Sequence, residues 1–214
     1  MEDRRWVCLD VGETLVDETR IWSVWADMVG VPRLTFMALL GAVIARGGDH
    51  RDVFSELGIG SWQERWPEAV QRVGPFIPAD LYPDALPAVR ALGASGYRVA
   101  ILANQPGARS TELSALGFEP NVMAMSEEMG VSKPDPAFFA RSLELMGEPR
   151  PADVAYLGDR VDNDVVPGLA CGMRACWIRR GPWGRIQRLP DGVRPALVVT
   201  SLTEFVDRVA EAWQ

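Results

Sequence analysis

The apolar positions of this chain follow two rhythms. Arg5-Trp6-Val7-Cys8-Leu9 is a short β-prone run that stops at Asp10-Val11-Gly12-Glu13-Thr14, a carboxylate followed by a glycine turn, and this predicts a strand ending in a polar loop. From Thr19 to Val73 the signals are helical: a helix over Thr19 to Met28, one with Pro32 at its first turn, one after Asp49, and a capping box at Ser61-x-x-Glu64. No strand signal interrupts this block, which predicts a four-helix bundle of roughly 60 residues, too small to be very stable alone but able to pack on a neighbour.

After a Pro/Gly-rich hinge from Gly74 to Asp84, helix and strand alternate. Asp84 caps a helix that Gly96 ends, Arg98 to Ala103 is a strand, Ala108 to Leu116 a helix and Val122 to Met125 a strand. Helix Pro136 to Met146, strand Val154 to Leu157, helix Asn163 to Cys171, and strands Ala175 to Ile178 and Leu197 to Val199 follow; Ser201-x-x-Glu204 caps a last helix. The fold class is therefore α/β: a Rossmann-like doubly wound parallel sheet core, residues 1–16 and 81–214, with an inserted α-helical bundle over 17–80. Such sheets bind ligands at the carboxyl ends of their strands.

Composition narrows the partners. The chain has 214 residues, 48% of them hydrophobic and 24% charged, with a net charge of -7, a balance that repels phosphate backbones and anionic lipid surfaces. We expect no nucleic-acid and no membrane partner. The longest apolar stretch, Phe36 to Ala45, falls well short of the roughly 20 residues of a membrane span, and Met1-Glu2-Asp3-Arg4-Arg5 does not lead into a secretory apolar region, so the reading is cytoplasmic. Cys8, Cys171 and Cys176 read as buried reduced thiols, and the only histidine, His50, as a solvated loop residue. The 22 basic residues comprise arginines and a single lysine, Lys133.

Four predicted strands end in residues suited to a site: Asp10-x-Gly12, Ala103-Asn104-Gln105, Ser126-Glu127-Glu128, and Gly158-Asp159 with Asp164 following. If these loops converge with Lys133, they assemble three carboxylates, an ammonium and an amide, with no histidine or serine nucleophile. Carboxylates held together repel unless a divalent cation lies among them, and hard oxygen ligands favour magnesium. An aspartate, a metal and a lysine suit attack on phosphorus.

Asp10-Val11-Gly12-Glu13-Thr14-Leu15, Ile101-Leu102-Ala103-Asn104, Lys133-Pro134-Asp135-Pro136 and Gly158-Asp159-Arg160-Val161-Asp162-Asn163-Asp164 resemble, in order, the four motifs of the haloacid dehalogenase superfamily. The helical block matches that family's cap, inserted after the first strand. The resemblance implies that Asp10 is the nucleophile, taking up a phosphoryl group as an aspartyl phosphate. It implies that Lys133 neutralises the nucleophile and the transferring oxygens, and that Asn104 orients phosphate oxygens or the loop around them. Asp159, supported by Asp164, would hold Mg2+ with the Asp10 carboxylate and the backbone carbonyl of Gly12. The implied substrate is a small phosphorylated molecule, and the implied assembly a monomer or homodimer.

Two departures bear on activity. The family's phosphatases carry a second aspartate two residues after the nucleophile, a general acid-base, where this chain has Gly12; losing such a group costs about 10²- to 10⁴-fold in rate. The second-motif serine or threonine is Ala103, the loss of a phosphate donor on the order of 2 to 4 kcal/mol. Glu13 is one residue out of register and reads as a solvated loop residue, with a role as substitute acid as the minor alternative. Three readings remain open: a magnesium-dependent phosphatase with impaired acid-base chemistry, a metal-independent 2-haloacid dehalogenase-like hydrolase, and a non-catalytic binding relative. Phosphonate cleavage is set aside, because it uses a cap lysine and this cap has none. Trp22, Trp25, Trp62 and Trp66 read as cap core, with one facing the cleft as the sharper alternative; Arg20, Arg33 and Arg46 read by default as solvated arginines, with contact to an anionic substrate as the alternative.

Overall fold

Side chains alternate along the first strand, β1 (Trp6–Leu9), and that alternation builds two layers: Val7 and Leu9 enter one apolar cluster while Trp6 and Cys8 enter another on the opposite face. The same division holds for β2 (Arg98–Ala103) and β4 (Val154–Gly158), which flank β1 and pair with it in parallel. In this computed structural model, which describes residues 5–214, the sheet is completed by β3 (Val122–Met125), β5 (Arg174–Ile178) and β6 (Leu197–Val199) in the order β3-β2-β1-β4-β5-β6, every pair parallel. The charged stretch at Met1 to Arg4, read as lacking a secretory signal and as the start of the core, lies outside the described residues.

Helices cover both faces of the sheet, as buried parallel strands require. The helical block comes first in sequence: α1 (Thr19–Val29), α2 (Arg33–Ala45), α3 (Asp52–Glu56) and α4 (Trp66–Val73). Next come α5 (Ala85–Ala94), α6 (Ala108–Ala115), α7 (Ser126–Met129), α8 (Pro136–Leu145), α9 (Val166–Ala170), α10 (Gly181–Ile186) and α11 (Leu202–Arg208). Residues of α5, α6 and α11 pack on the Val7 face; Phe138 and Phe139 of α8 pack on the Trp6 face. Among the described residues no single helix is long and apolar enough to cross a membrane.

Four expectations about local structure change. The bundle has two long helices, while α3 has five residues and α4 eight. Ser61 makes no side-chain cap, and the turn after it is 3-10 (Trp62–Arg65). Asp84 does not cap α5, because its carboxylate accepts from Arg180 (3.0 Å) and from the Leu202 amide (2.7 Å). The helix expected from Asn163 opens instead as a π turn (Val161–Val165), and α10, unforeseen between glycines and a proline, inserts Trp183 into the apolar cluster of the helical block.

The chain leaves the sheet and returns to it along adjacent paths. Val16 bridges Leu81, the Asp17 amide donates to the Asp80 carbonyl (2.8 Å), and the Tyr82 amide donates to Leu15 (3.0 Å). Arg20 of α1 closes the loop from the other side, donating to both Asp80 oxygens (2.7 and 2.5 Å) and to the carbonyls of Val73 and Pro75.

Candidate active site

The chain winds to one side of β1 through β2 and β3 and to the other through β4, β5 and β6, so the crevice for a ligand opens at the carboxyl ends of the central strands. Asp10 follows β1, Asn104 follows β2, and Asp159 follows β4; all three line one cleft of about 1140 Å³ together with Gly12 and Lys133.

Lys133 holds this end of the sheet together. Its side chain is 2% exposed, and Nζ donates to Asp10 Oδ1 (2.7 Å) and Asp164 Oδ1 (2.6 Å). Burial acts against the ammonium charge, but the two carboxylates outweigh it and raise the lysine above its ordinary value. Asn104 fixes the Lys133 backbone with both amide atoms: Nδ2 donates to the Lys133 carbonyl and Oδ1 accepts from its amide, each at 2.8 Å. Of the two jobs the resemblance allowed Asn104, its geometry suits holding the loop.

Asp164 reaches the lysine because Gly158 has no side chain. A Cβ on Gly158 would lie 2.3 Å from the Asp164 Cγ. The other Asp164 oxygen accepts from the Arg160 amide (3.0 Å) within the π turn, an irregularity that aims the carboxylate back at the sheet. Burial pushes Asp164 up to about 6, against the pull of Lys133.

Asp159 is 1% exposed, and its Oδ2 is a buried oxygen with no hydrogen-bond partner. Burial, with Asp164 and Asp10 adding repulsion, holds its carboxyl well above the usual carboxylate range. Oxygens of Asp10, Asp159 and Asp164 lie within 4.8 Å of one another. An orphaned carboxylate oxygen inside a cluster of three buried acids is a donor set suited to a hard divalent cation.

Glu13 and His50 are both less solvated than the sequence suggested. Glu13 is 4% exposed in a left-handed backbone (φ 52°), its Oε2 accepting from the Tyr82 hydroxyl (2.5 Å) and Oε1 from the Glu18 amide (3.0 Å). Glu13 lines the cleft, with both of its carboxyl oxygens engaged in holding the turn. His50 lines the cleft edge-on to Trp22 and Trp183, and burial depresses it to about 4. Cys8 and Cys176 are buried and free; Cys171 is half-buried and also free.

The cleft has an aromatic wall. Trp22, Trp25, Trp62, Trp66 and Trp183 line it, and Trp22 and Trp25 are also buried in the apolar cluster of the helical block, so core packing and cleft lining coincide. Trp66 is 48% exposed. The arginines picked out from the sequence are elsewhere: Arg20 pairs with Asp80, Arg33 with Asp27 and Arg46 with Glu56. Those lining the cleft are Arg51, Arg109 and Arg160, which sequence gave no reason to prefer.

Sequence reasoning also missed Glu18, six positions beyond Gly12. A Cβ on Gly12 would lie 2.6 Å from Glu18 Oε1 and 3.7 Å from Gln105 Nε2, which itself donates to Glu18 Oε1 (3.3 Å). Burial, together with the Glu13 and Asp10 charges, pushes Glu18 up to about 7.

Residues 5–172 match the family model described as haloacid dehalogenase-like hydrolase. The pyrimidine 5'-nucleotidase YjjG of Escherichia coli is 32% identical over 85 residues, 40% of this chain and 36% of the relative. A glyceraldehyde 3-phosphate phosphatase of Methanopyrus kandleri is 29% identical over 133 residues, 61% of this chain and 57% of the relative. The matches thus span between about a third and three fifths of these relatives' lengths. In fold, the L-2-haloacid dehalogenase RSc1362 superposes with a TM-score of 0.72 at 16% identity, covering 97% of this chain and 99% of that one.

Proposed function

Because the chain belongs to the haloacid dehalogenase-like hydrolases, and is thus a hydrolase, we propose that it is a magnesium-dependent phosphatase acting on a small phosphorylated molecule through an aspartyl phosphate on Asp10. The observation that carries this reading is the unpartnered Asp159 Oδ2 beside Asp10 and Asp164, three buried acids around one lysine whose full ionisation a cation would favour. Asp159, Asp10 and the Gly12 carbonyl would hold Mg2+, supported by Asp164. Bound there, the ion would offset the charge of the carboxylates and of an incoming phosphate.

The chain's own residues supply the rest. Asp10 attacks phosphorus through a carboxylate oxygen, and the bond from phosphorus to the leaving oxygen breaks. Lys133, a compact ammonium fixed from two sides, stabilises charge on the transferring oxygens. Asn104 keeps the Lys133 backbone in place, and the Ala103 methyl leaves the phosphate one donor short. The similarity to a pyrimidine 5'-nucleotidase and to a glyceraldehyde 3-phosphate phosphatase supports the reaction class and leaves substrate choice to the cleft walls.

Residues 17–80 serve as the cap in this reading, moving about the paired links at 15–17 and 80–82 to admit substrate and exclude water. Their tryptophans favour an apolar or aromatic group on the substrate. We place the enzyme in the cytoplasm, as a monomer or homodimer with no nucleic-acid or membrane partner.

The test is a phosphatase screen with Mg2+ and with chelator, paired with mass spectrometry of Asp10. Magnesium-dependent phosphate release and a phosphoryl adduct on Asp10, absent in Asp10→Asn, are expected; neither product nor adduct from an activated aryl phosphate overturns the reading. A metal-independent dehalogenase is the second reading, favoured by Gly12, because a halide leaves without a proton. Halide release from a 2-haloacid in chelator would establish it.

A further inference from the structure

One of the two side chains a phosphatase of this design lacks is the proton donor and acceptor at position 12, and the space it would fill is not empty. Glu18 Oε1 lies 2.6 Å from where a Cβ of residue 12 would stand, closer than two such atoms approach in practice. Glu18 starts from the far side of the turn that follows β1, and its carboxyl comes back to the same cleft wall as Asp10 and Gly12. We propose that Glu18 is the general acid-base of this site, delivered from the entrance of α1 instead of from the nucleophile's own strand end. The inference rests on the phosphatase reading above.

Two hydrogen bonds and a backbone turn aim the group. The Glu13 carboxylate accepts the Glu18 amide (3.0 Å), so the residue out of register supports the backbone of the one that acts. The left-handed conformation of Glu13 (φ 52°) turns the chain so that this bond forms. Gln105 Nε2, from the loop after β2, donates to Glu18 Oε1 (3.3 Å), and the Trp22 side chain also acts on the carboxyl. The absence of a side chain at position 12 is then a requirement: any Cβ there would displace the Glu18 carboxyl.

In the forward step an Asp10 oxygen bonds to phosphorus as the bond to the leaving alcohol's oxygen breaks, and Glu18 passes its proton to that oxygen, becoming a carboxylate. In the return step the Glu18 carboxylate takes a proton from a water whose oxygen attacks phosphorus. The bond between phosphorus and Asp10 breaks, Asp10 is freed as a carboxylate, phosphate leaves, and Glu18 is protonated again. An ester and a water become an alcohol and phosphate with no other reactant.

Leaving-group dependence tests this. Wild type, Glu18→Gln, Glu18→Ala and Glu18→Ala with Gly12→Asp are compared on an alkyl phosphate (glycerol phosphate) and an aryl phosphate (4-nitrophenyl phosphate) with Mg2+, reading the first-turnover rate and the folded fraction by circular dichroism. A nitrophenolate leaves without a proton and an alkoxide does not. The expected result is a loss of about 100-fold or more on the alkyl ester in Glu18→Gln and Glu18→Ala, a loss of less than about tenfold in the aryl first turnover, and recovery of alkyl cleavage when Gly12→Asp is added to Glu18→Ala. Equal losses on both esters, or no loss on the alkyl ester, would overturn the role of Glu18 while the phosphatase reading stands. A wild-type protein that cleaves neither ester and forms no Asp10 adduct overturns both.

Discussion

The Asp164 carboxyl occupies the place a Gly158 side chain would take, with its Cγ 2.3 Å from where that Cβ would be. The last residue of a central strand thus has no side chain, and an acid six residues on faces Lys133. Gly158→Ala forces that carboxyl out. We expect destabilisation of about 1 to 3 kcal/mol by chemical denaturation, with loss of the Asp10 adduct. Gly93, inside α5 with open space around its Cα, is the control: Gly93→Ala stabilises by about 0.5 to 1 kcal/mol and leaves adduct formation unchanged.

Asp159 has a buried carboxyl oxygen with no hydrogen-bond partner, in surroundings of burial and neighbouring acids that disfavour its ionised form. Asp159→Asn therefore raises stability in chelator, by about 1 to 3 kcal/mol, and loses the response to Mg2+. The wild type shows the reverse, gaining about 2.7 kcal/mol when Mg2+ reaches 100 times its dissociation constant. Thermal unfolding of both proteins with Mg2+ and with chelator reads the crossing of the two orders; a wild type insensitive to Mg2+ contradicts it.

Asn104 makes two hydrogen bonds to one residue's backbone, each 2.8 Å. Asn104→Ala leaves a partly buried amide and carbonyl unpaired, at a cost of about 1 to 3 kcal/mol, and lets the lysine loop drift. Turnover falls more than substrate affinity, because a displaced ammonium is missed most when charge moves between oxygens. Comparing kcat with KM for the variant separates this from direct phosphate binding by the amide, which would raise KM instead.

His50 gives the chain a pH dependence of known sign. Burial lowers it from 6.5 to about 4, so the unfolded chain takes up the proton first. Its contribution is full above pH 6.5 and is lost as pH falls toward 4. Glu18, Asp159 and Asp164 are raised and act in the opposite sense, losing stability as pH rises. The difference between wild type and His50→Asn isolates the histidine: the gap should shrink by about 1 to 3 kcal/mol from pH 7 to pH 4.5 by urea denaturation, and a constant gap would refute the assignment.

The sheet was legible because buried parallel strands are continuous apolar runs; Arg98–Ala103, Val122–Met125 and Leu197–Val199 begin and end where the sequence places them. Strand order needed the tertiary structure, since each crossover can in principle turn either way along the sheet. The acids and the lysine could be named because each lies at a strand end or helix start. Glu18 could not: no spacing rule ties it to Gly12, and only the backward turn through Glu13 brings them together. Helix α10 escaped because Gly181-Pro182-Trp183-Gly184 reads as a turn, while burial of Trp183 against α1 and α2 decides its conformation. The cap arginines show a related limit: charge alone does not say which side chains already have a carboxylate partner, as Arg20, Arg33 and Arg46 do.

Lys133 is the only lysine in the sequence, and its side chain is 2% exposed. The chain therefore carries a single ε-amine, shut away at the centre of its chemistry. An amine-acylating reagent meets that nitrogen only when the cleft or the fold opens, so the mass increment at position 133 records opening with one residue and no introduced probe. The rate of that increment, compared with and without a phosphate mimic, would turn the protein's scarcest side chain into a clock for its own site.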